Sequence, residues 1–553
     1  MKKNSFVEGT FIATLAIVVT KILGMLYVIP FYSIIGTQGS ALYSYAYNIY
    51  VMFLGISSAG IPSAMSKIVS EYDSTGQKEA KVRSFKIGVM IIGILSFIAF
   101  LILVFFSEKI AFLLVGDLQN GNSLSDIALV IFIVSFSVLI IPFLSVARGY
   151  LQGHKYIKPS SDSQLIEQIV RIFVILVGSY LAIKVFNSTT SIGVAIAISG
   201  AFVGGLAAIA YIGRCIFKHK KELSLDANIP KDKVSNKEIL KKILSYAIPF
   251  VVINLTVNLY NTVDMSLILR TISKLGYTGA ESEFVAGVVT TWGYKLNMIV
   301  NAIATGLTIS LIPSLVSAYT LKKYKEVNST FNKAIQIVLF VSLPVACGLS
   351  FLATPVWTAF YGASEYGPIV FRFSILTAIL CNVYLVCIQS AQSLSKYKSV
   401  YLAVIGGSLL NALLDVPLMY LCHNLGIYAF YGATIATIIG YLFSITVVMV
   451  TLRKIPEIKY QETFKMIGKL LFALVMMIFT LYIVRFFIPL IQTDRLHSII
   501  EIVVFAVVGG VVYLGLAYKL GIINTLFGKQ GIKKLLGVLT LERFRKRGQN
   551  AKD

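Results

Sequence analysis

The sequence predicts an all-α integral membrane protein with about fourteen transmembrane helices. Three observations carry that expectation. Of the 553 residues, 57% are hydrophobic and only 13% charged, against about a quarter charged in a soluble domain. Apolar runs close to the roughly 20 residues needed to cross a 30 Å hydrocarbon core recur from end to end. The loops between those runs alternate between basic and neutral or acidic.

The runs lie near 8–34, 41–69, 86–106, 126–147, 163–183 and 192–213, then 243–269, 284–316, 333–360, 369–394, 399–421 and 426–451, and finally 466–490 and 498–520; they are numbered spans 1 to 14. Span 1 follows Lys2 and Lys3 in the manner of a secretion leader. Its apolar stretch continues to Ile35 without a small-residue cleavage site, which reads as a first span. Loops after even-numbered spans are basic: Lys78, Lys81 and Arg83; His154, Lys155 and Lys158; Lys322, Lys323 and Lys325; Lys396 and Lys398; Arg453, Lys454 and Lys459. Those after odd-numbered spans are short and hold Glu108, Asp117, Glu281, Glu283, Glu365 and Asp494. Under the positive-inside rule this places both termini in the cytoplasm of a multi-pass protein of the bacterial cytoplasmic membrane. It also accounts for most of the net charge of +24. No segment is polar enough to be a basic domain free of lipid, so nucleic-acid binding is excluded. Cys215, Cys347, Cys381, Cys387 and Cys422 lack metal-ligand or disulfide-framework spacing and read as small packing residues.

The longest polar stretch, Lys218–Lys242 with Pro230, falls midway through the first twelve spans. Spans on either side echo one another. Span 2 leaves through GIPSAMSKIVSEY (Gly60–Tyr72) and span 8 through SLIPSLVSAY (Ser310–Tyr319), each a Pro-Ser helix end running into Tyr and a basic loop. The expected organisation is an N-terminal lobe (1–217, spans 1–6), a basic cytoplasmic linker (218–242), a C-terminal lobe (243–454, spans 7–12), spans 13 and 14 (455–525) and a basic tail (526–553). The two six-helix lobes would be related by a pseudo-twofold axis along the membrane normal.

Enzyme signatures are missing. There is no P-loop and no H-E-x-x-H, and the outer loops are too short to hold a catalytic module. A catalytic site, cofactor and metal are therefore not expected. Ionisable residues within spans are the positive signal, because each costs about 2.5–3.5 kcal/mol on insertion scales. Lys21 sits in mid-span 1 and Lys295 a third of the way along span 8, three residues after Trp292. Neither has an acid three or four residues away. Such cations in a wet cavity would hold a phosphate or diphosphate; pairing with acids on other helices is the alternative. Arg171 in span 5 follows Glu167 by four residues, with Gln168 beside it, and reads equally as a helical ion pair or a substrate contact. Asp264, with Asn254, Asn258 and Asn261, gives span 7 a polar stripe that either lines water or joins helices. Asp415 on span 11, with Ser408 and Asn411, reads the same way. Gly200-x-x-x-Gly204 in span 6 offers a close-packing face.

The stretch TLAIVVTKILGMLYVIPFYSIIGTQGSALYSYAYNIY, followed by SSAGIPSAMSKIVSEYDSTG, resembles the opening of the YtgP/SpoVB branch of the MurJ-like flippases, in the multidrug/oligosaccharidyl-lipid/polysaccharide (MOP) exporter superfamily. The resemblance implies a lobed bundle with a central cationic cavity that moves the peptidoglycan precursor lipid II from inner to outer leaflet by alternating access. It further implies a groove by spans 13 and 14 for the polyprenyl tail. The family's basic residue of span 1 falls on Lys21 and that of span 8 near Lys295, while its second span-1 arginine falls at about Tyr27. Lys21, Lys295, Arg171 and Arg148 form the expected diphosphate-binding set. Asn254, Asn258, Asn261 and Gln168 are the expected cavity lining, and Asp264, Glu167 and Asp415 the ion or relay candidates.

The expected partners are lipid II or a related polyprenyl-diphosphate saccharide, membrane lipids and cell-wall synthesis proteins. A flippase for another lipid-linked saccharide and a drug/cation antiporter of the same superfamily are the alternatives. The second requires buried acids facing the drug, whereas the most isolated buried charges here are cations.

Overall fold

The computed structural model describes residues 19–58, 61–116, 121–220, 222–223, 234–487 and 494–527. All regular elements among them are helices. Ten are long and apolar enough to cross a membrane, and they carry spans 3–6 and 9–14. Spans 1 and 2 are carried by Val19–Leu26 and Val28–Ser58, which meet at a 40° bend. Within the latter, Gly36 adopts φ 66°, ψ −169° and turns the chain between the two spans, a conformation that costs glycine nothing. Spans 7 and 8 are carried by Asn236–Lys274 and by the run Gly279–Gly287, Val288–Trp292 and Gly293–Thr320. Among the described residues ten helices, or eleven with the bent pair taken as one span, are thus long and apolar enough to cross a membrane, which bears out the all-α multi-span fold.

Helix starts follow local chemistry. Ser235 and Thr278 each form a capping box, with Glu238 and Glu281 respectively. Ser123 and Thr189 cap spans 4 and 6 with their hydroxyl oxygens. These bonds satisfy amides that a helix's first turn leaves unpaired.

By packing, the chain falls into two compact units. The first comprises Met1–Met298, Phe360–Ser374 and Tyr397–Ser444; the second Ile299–Ala359, Ile375–Lys396 and Ile445–Asp553. Packing and internal repetition are separate properties, and the two-lobe expectation rests on the latter.

In the first unit, span 4 (Leu124–Gly153) is the central helix, packed against spans 2, 3 and 6. Ile127, Val130, Ile131, Val134, Val138 and Leu144 on it are buried. Span 3 instead exposes Met90, Ile94, Phe97 and Ile98; apolar surface of that extent needs hydrocarbon to cover it. Span 6 meets span 5 through the expected glycine face. A Cβ on Gly204 would lie 2.6 Å from the Glu167 carbonyl oxygen, and one on Gly200 would lie 2.9 Å from that of Arg171. Only glycine permits this approach, and it fixes the part of span 5 that carries Glu167 and Arg171.

In the second unit, spans 9 (Tyr324–Phe351), 13 (Gln461–Phe487) and 14 (Arg495–Lys519) pack together, and the second half of span 10 (Thr377–Ser393) lies on span 9. The buried Asn382 of span 10 donates to the Val300 carbonyl and to Ser342 Oγ. The opposite faces of spans 13 and 14 expose Leu471, Val475, Phe479, Val503, Val507 and Val511, a lipid-facing stripe at helical spacing.

Candidate substrate site

Lys295 is 5% exposed and has no carboxylate partner among the described residues. Its ammonium lies inside an aromatic cage. The nitrogen is 4.3 Å from the ring centre of Trp292, 4.7 Å from Tyr43, 5.3 Å from Tyr27 and 5.4 Å from Tyr47. It also donates to the Tyr27 hydroxyl at 3.3 Å, which in turn is 3.3 Å from that of Tyr43. A desolvated cation–π contact supplies about 2 kcal/mol, so several rings together offset the roughly 2.5–3.5 kcal/mol cost of a lysine in a span.

The cage follows from the local sequence. Tyr43, Tyr47 and Tyr50 recur at i, i+4 and i+7 and so share one face of span 2, while Gly36 brings Tyr27 of span 1 back beside them. Just before Lys295, Val288–Trp292 is π-helical. This widened turn leaves the Trp292 carbonyl to accept from the Tyr361 hydroxyl at 2.8 Å. Trp292 Nε1 donates to the Ser40 carbonyl at 3.1 Å. Asn48 Nδ2 reaches Thr290 and Thr291 Oγ1 at 3.3 and 3.0 Å. Spans 2 and 8 are thus tied together around the cage.

Arg171 shares this cluster. Its guanidinium carbon lies 5.4 Å from the Tyr50 ring centre, and it lines a small cavity together with Tyr43, Tyr47 and Tyr50. The cavity bounded by Arg171, Tyr43, Tyr47, Tyr50 and Val134 is about 10 Å³, room for one water at most. That cavity leaves no room for a diphosphate beside Arg171.

The other candidates sort clearly. Arg148 is compensated: its Nη2 is 2.8 Å from Glu167 Oε2 and its Nε donates to Ser163 Oγ at 2.8 Å. Glu167 pairs with Arg148 across helices, not with Arg171 one turn along its own. Lys21 is half-buried on Val19–Leu26, six residues ahead of Tyr27. Gln168 is half-buried, with its side-chain nitrogen near Gly24 of span 1. Asn258 and Asn261 are half-buried, and the Asn254 side chain lies outside the described residues.

Asp264 and Asp415 come together between spans 7 and 11. Both are buried, at 5% and 0% exposed, and Asn411 Nδ2 donates to Asp264 Oδ1. Neither Asp415 carboxylate oxygen has a hydrogen-bond partner among the described residues. Of the two readings of the span 7 stripe, its Asp264 end joins helices.

Sequence reasoning missed the cage itself, although the run Tyr43-Ser44-Tyr45-Ala46-Tyr47 was visible. It also missed the buried Glu283 beside span 8. Glu283 accepts from the Asn122 backbone N–H at 2.9 Å, from Asn122 Nδ2 at 2.7 Å and from the Tyr45 hydroxyl at 3.2 Å.

A bundle of apolar spans with lipid-facing surfaces and caged cations in its core defines a polytopic α-helical membrane transporter. The chain belongs to the polysaccharide biosynthesis protein family, whose pattern matches residues 6–319, and to its MurJ-like members. It is 32% identical over 540 residues to the lipid II flippase MurJ of Bacillus subtilis (strain 168), covering 95% of this chain and 97% of that one. It is 24% identical over 364 residues to the stage V sporulation protein B of the same organism, covering 66% and 68%. Among solved structures, the lipid II flippase MurJ in an inward closed conformation superimposes with a TM-score of 0.68 at 18% identity, covering 92% of this chain and 99% of that one. An inward-facing multidrug resistance MATE family transporter superimposes at 0.60 and 16% identity, covering 79% and 96%. These superpositions bear on the fold alone.

Proposed function

We propose that this protein is a flippase that carries lipid II, a polyprenyl-diphosphate saccharide, from the inner to the outer leaflet of the bacterial cytoplasmic membrane by alternating access. The observation that carries this reading is Lys295, buried among aromatic rings, with the half-buried Arg171 near the same tyrosines, neither paired with a carboxylate among the described residues. A diphosphate is the partner such cations lack. In the closed state the rings of Tyr27, Tyr43, Tyr47 and Trp292 stand in for it. When the site opens, a full anion outcompetes ring quadrupoles for the ammonium, and lysine's point charge permits later release. Lys21 joins the diphosphate set in the open state, and Arg148 serves through its bond to Glu167 as a brace.

Two further features support the reading. In the second unit, an apolar groove of about 390 Å³ runs between spans 9, 13 and 14, lined by Phe340, Pro344, Leu352, Met477, Phe505 and Tyr513 among others; it suits a polyprenyl tail. The Asp264–Asp415 pair in the first unit suits a cation relay, because adjacent buried carboxylates resist carrying two charges unless a proton or metal cation is shared. The drug/cation antiporter alternative gains only from this pair, whose Asp264 is already occupied by Asn411. The protein is then a carrier and not an enzyme, with both termini cytoplasmic and two six-helix lobes that rock about the site.

The testing experiment is acute depletion of the protein with measurement of lipid II exposed on the outer leaflet. Loss of exposure with accumulation inside supports the reading. Unchanged exposure together with altered drug efflux favours the antiporter.

A further inference from the structure

A second polar cavity, of about 330 Å³, opens on spans 9 and 13, two of the helices that form the apolar groove of the second unit, with Thr525 beyond span 14 at its edge. Its walls hold Lys333 of span 9 and Lys465 and Lys469 of span 13, opposed by one carboxylate, Glu462. None of the three lysines forms an ion pair among the described residues. Lys469 Nζ is held 3.3 Å from the Leu520 carbonyl at the end of span 14.

The floor is built from buried amides. Asn332 and Gln336 are each 5% exposed. Asn332 Nδ2 donates to the Lys459 carbonyl at 2.9 Å and to Asn328 Oδ1 at 2.7 Å, Asn332 Oδ1 accepts from Thr463 Oγ1 at 2.5 Å, and Gln336 Nε2 donates to Thr463 Oγ1 at 3.1 Å. This network ties span 9 to the start of span 13 and fixes the backbone from which the lysines project.

The polar cavity and the apolar groove are continuous in register. The cavity takes Asn328 to Gln336 of span 9, and the groove begins at Phe340, one turn on. At the junction the Tyr513 hydroxyl donates to the Phe340 carbonyl at 2.9 Å. At about 1.5 Å rise per residue, Lys333 to Leu352 spans roughly 28 Å. One leaflet contributes only about 15 Å of hydrocarbon. A ligand filling both therefore has an anionic head and a tail that passes the bilayer midplane. A long single-chain isoprenoid matches that length; the acyl chains of a phospholipid do not.

We propose that Lys333, Lys465 and Lys469 form a second, staging site for the phosphate or diphosphate of an isoprenoid lipid, with its tail in the adjoining groove. The site rests on the carrier reading above and sits at the cytoplasmic end assigned by loop charge, where an inner-leaflet lipid presents its head. Three ammonium groups around one opening recruit that head by charge-assisted contacts.

The test is native mass spectrometry of the full-length protein in detergent with undecaprenyl diphosphate, long enough to fill both cavity and groove, as probe. Inorganic diphosphate and dioleoyl phosphatidylglycerol serve as competitors. The substitutions Lys333→Gln, Lys465→Gln and Lys469→Gln, all at exposed positions, are expected to weaken probe binding by about tenfold or more when combined. Lys398→Gln, at an exposed lysine outside this cavity, should leave this binding intact. Unchanged binding in the triple variant overturns the proposal, and so does displacement of the probe by phosphatidylglycerol at equal concentration. Displacement by diphosphate alone at equal concentration would also overturn it, since the groove would then add nothing. Binding is read without transport, so this outcome is separate from the depletion experiment: a chain that binds the probe here yet leaves outer-leaflet lipid II unaffected keeps the site and loses the carrier reading.

Discussion

The Lys295 ammonium lies 4.3 Å from the centre of the Trp292 ring, three residues earlier on the same run of helix. The contact stores a charge in the bundle without neutralising it. That distinction separates a functional lysine from a structural one and makes them testable apart. Lys295→Met removes a buried charge while keeping similar volume. It is expected to leave the stability unchanged or raise it by up to about 2 kcal/mol, read as an unchanged or higher thermal midpoint, while transport is lost. Tyr43→Phe, which retains the ring, should stay close to wild type in stability. A marked drop in midpoint for Lys295→Met would make the lysine a structural element.

Arg148 and Glu167 should behave in the opposite way. Removing one partner of this partly buried pair leaves the other charge without its bond, so Glu167→Gln is expected to destabilise by about 1.5–3 kcal/mol. The double variant Arg148→Met/Glu167→Met should recover most of that loss. Chemical denaturation of the two singles and the double in detergent measures the coupling. Additive effects would remove the brace role.

Close packing of span 6 on span 5 gives a third outcome. Gly204→Ala puts a Cβ against the Glu167 carbonyl and should cost about 1–3 kcal/mol, with reduced transport because the Arg171 region shifts. Gly213→Ala on the same helix meets nothing within 4 Å and serves as the control. It should match wild type in melting midpoint and transport. Equal behaviour of the two variants would contradict the packing argument.

Glu283 holds Asn122 through two bonds, at 2.9 and 2.7 Å. Glu283→Ala leaves the Asn122 backbone N–H without its acceptor and its Nδ2 with only the Gln38 carbonyl at 3.2 Å, at about 1–3 kcal/mol. Hydrogen–deuterium exchange at residues 121–124 should rise about fivefold or more by that estimate, with little change in span 14. Unaltered exchange there would show that the bond pair does not secure the loop.

Much of the architecture was readable because a bilayer imposes long apolar runs and sorts loop charge. Span boundaries, the turn near Gly36 and the Gly200/Gly204 face all follow from local rules of that kind. The isolation of Lys295 was also readable, since no acid stands near it in sequence. Its cage was not. Aromatic rings in a span are ordinary packing residues, and only the fold brings Tyr27, Tyr43, Tyr47 and Trp292 around one nitrogen. Glu167 illustrates the converse: helical spacing pointed to Arg171, but span 4 places Arg148 at 2.8 Å and takes the partner. The pairing of Asp264 with Asp415 joins positions 151 residues apart, beyond the reach of any periodicity.

The most direct test of the central claim is transport of labelled lipid II in vesicles of defined orientation, comparing wild type with Lys295→Gln. The account predicts that wild type equilibrates lipid II between leaflets and that Lys295→Gln, folded and inserted to the same extent, does so no faster than empty vesicles. Equal rates for the two proteins would contradict it.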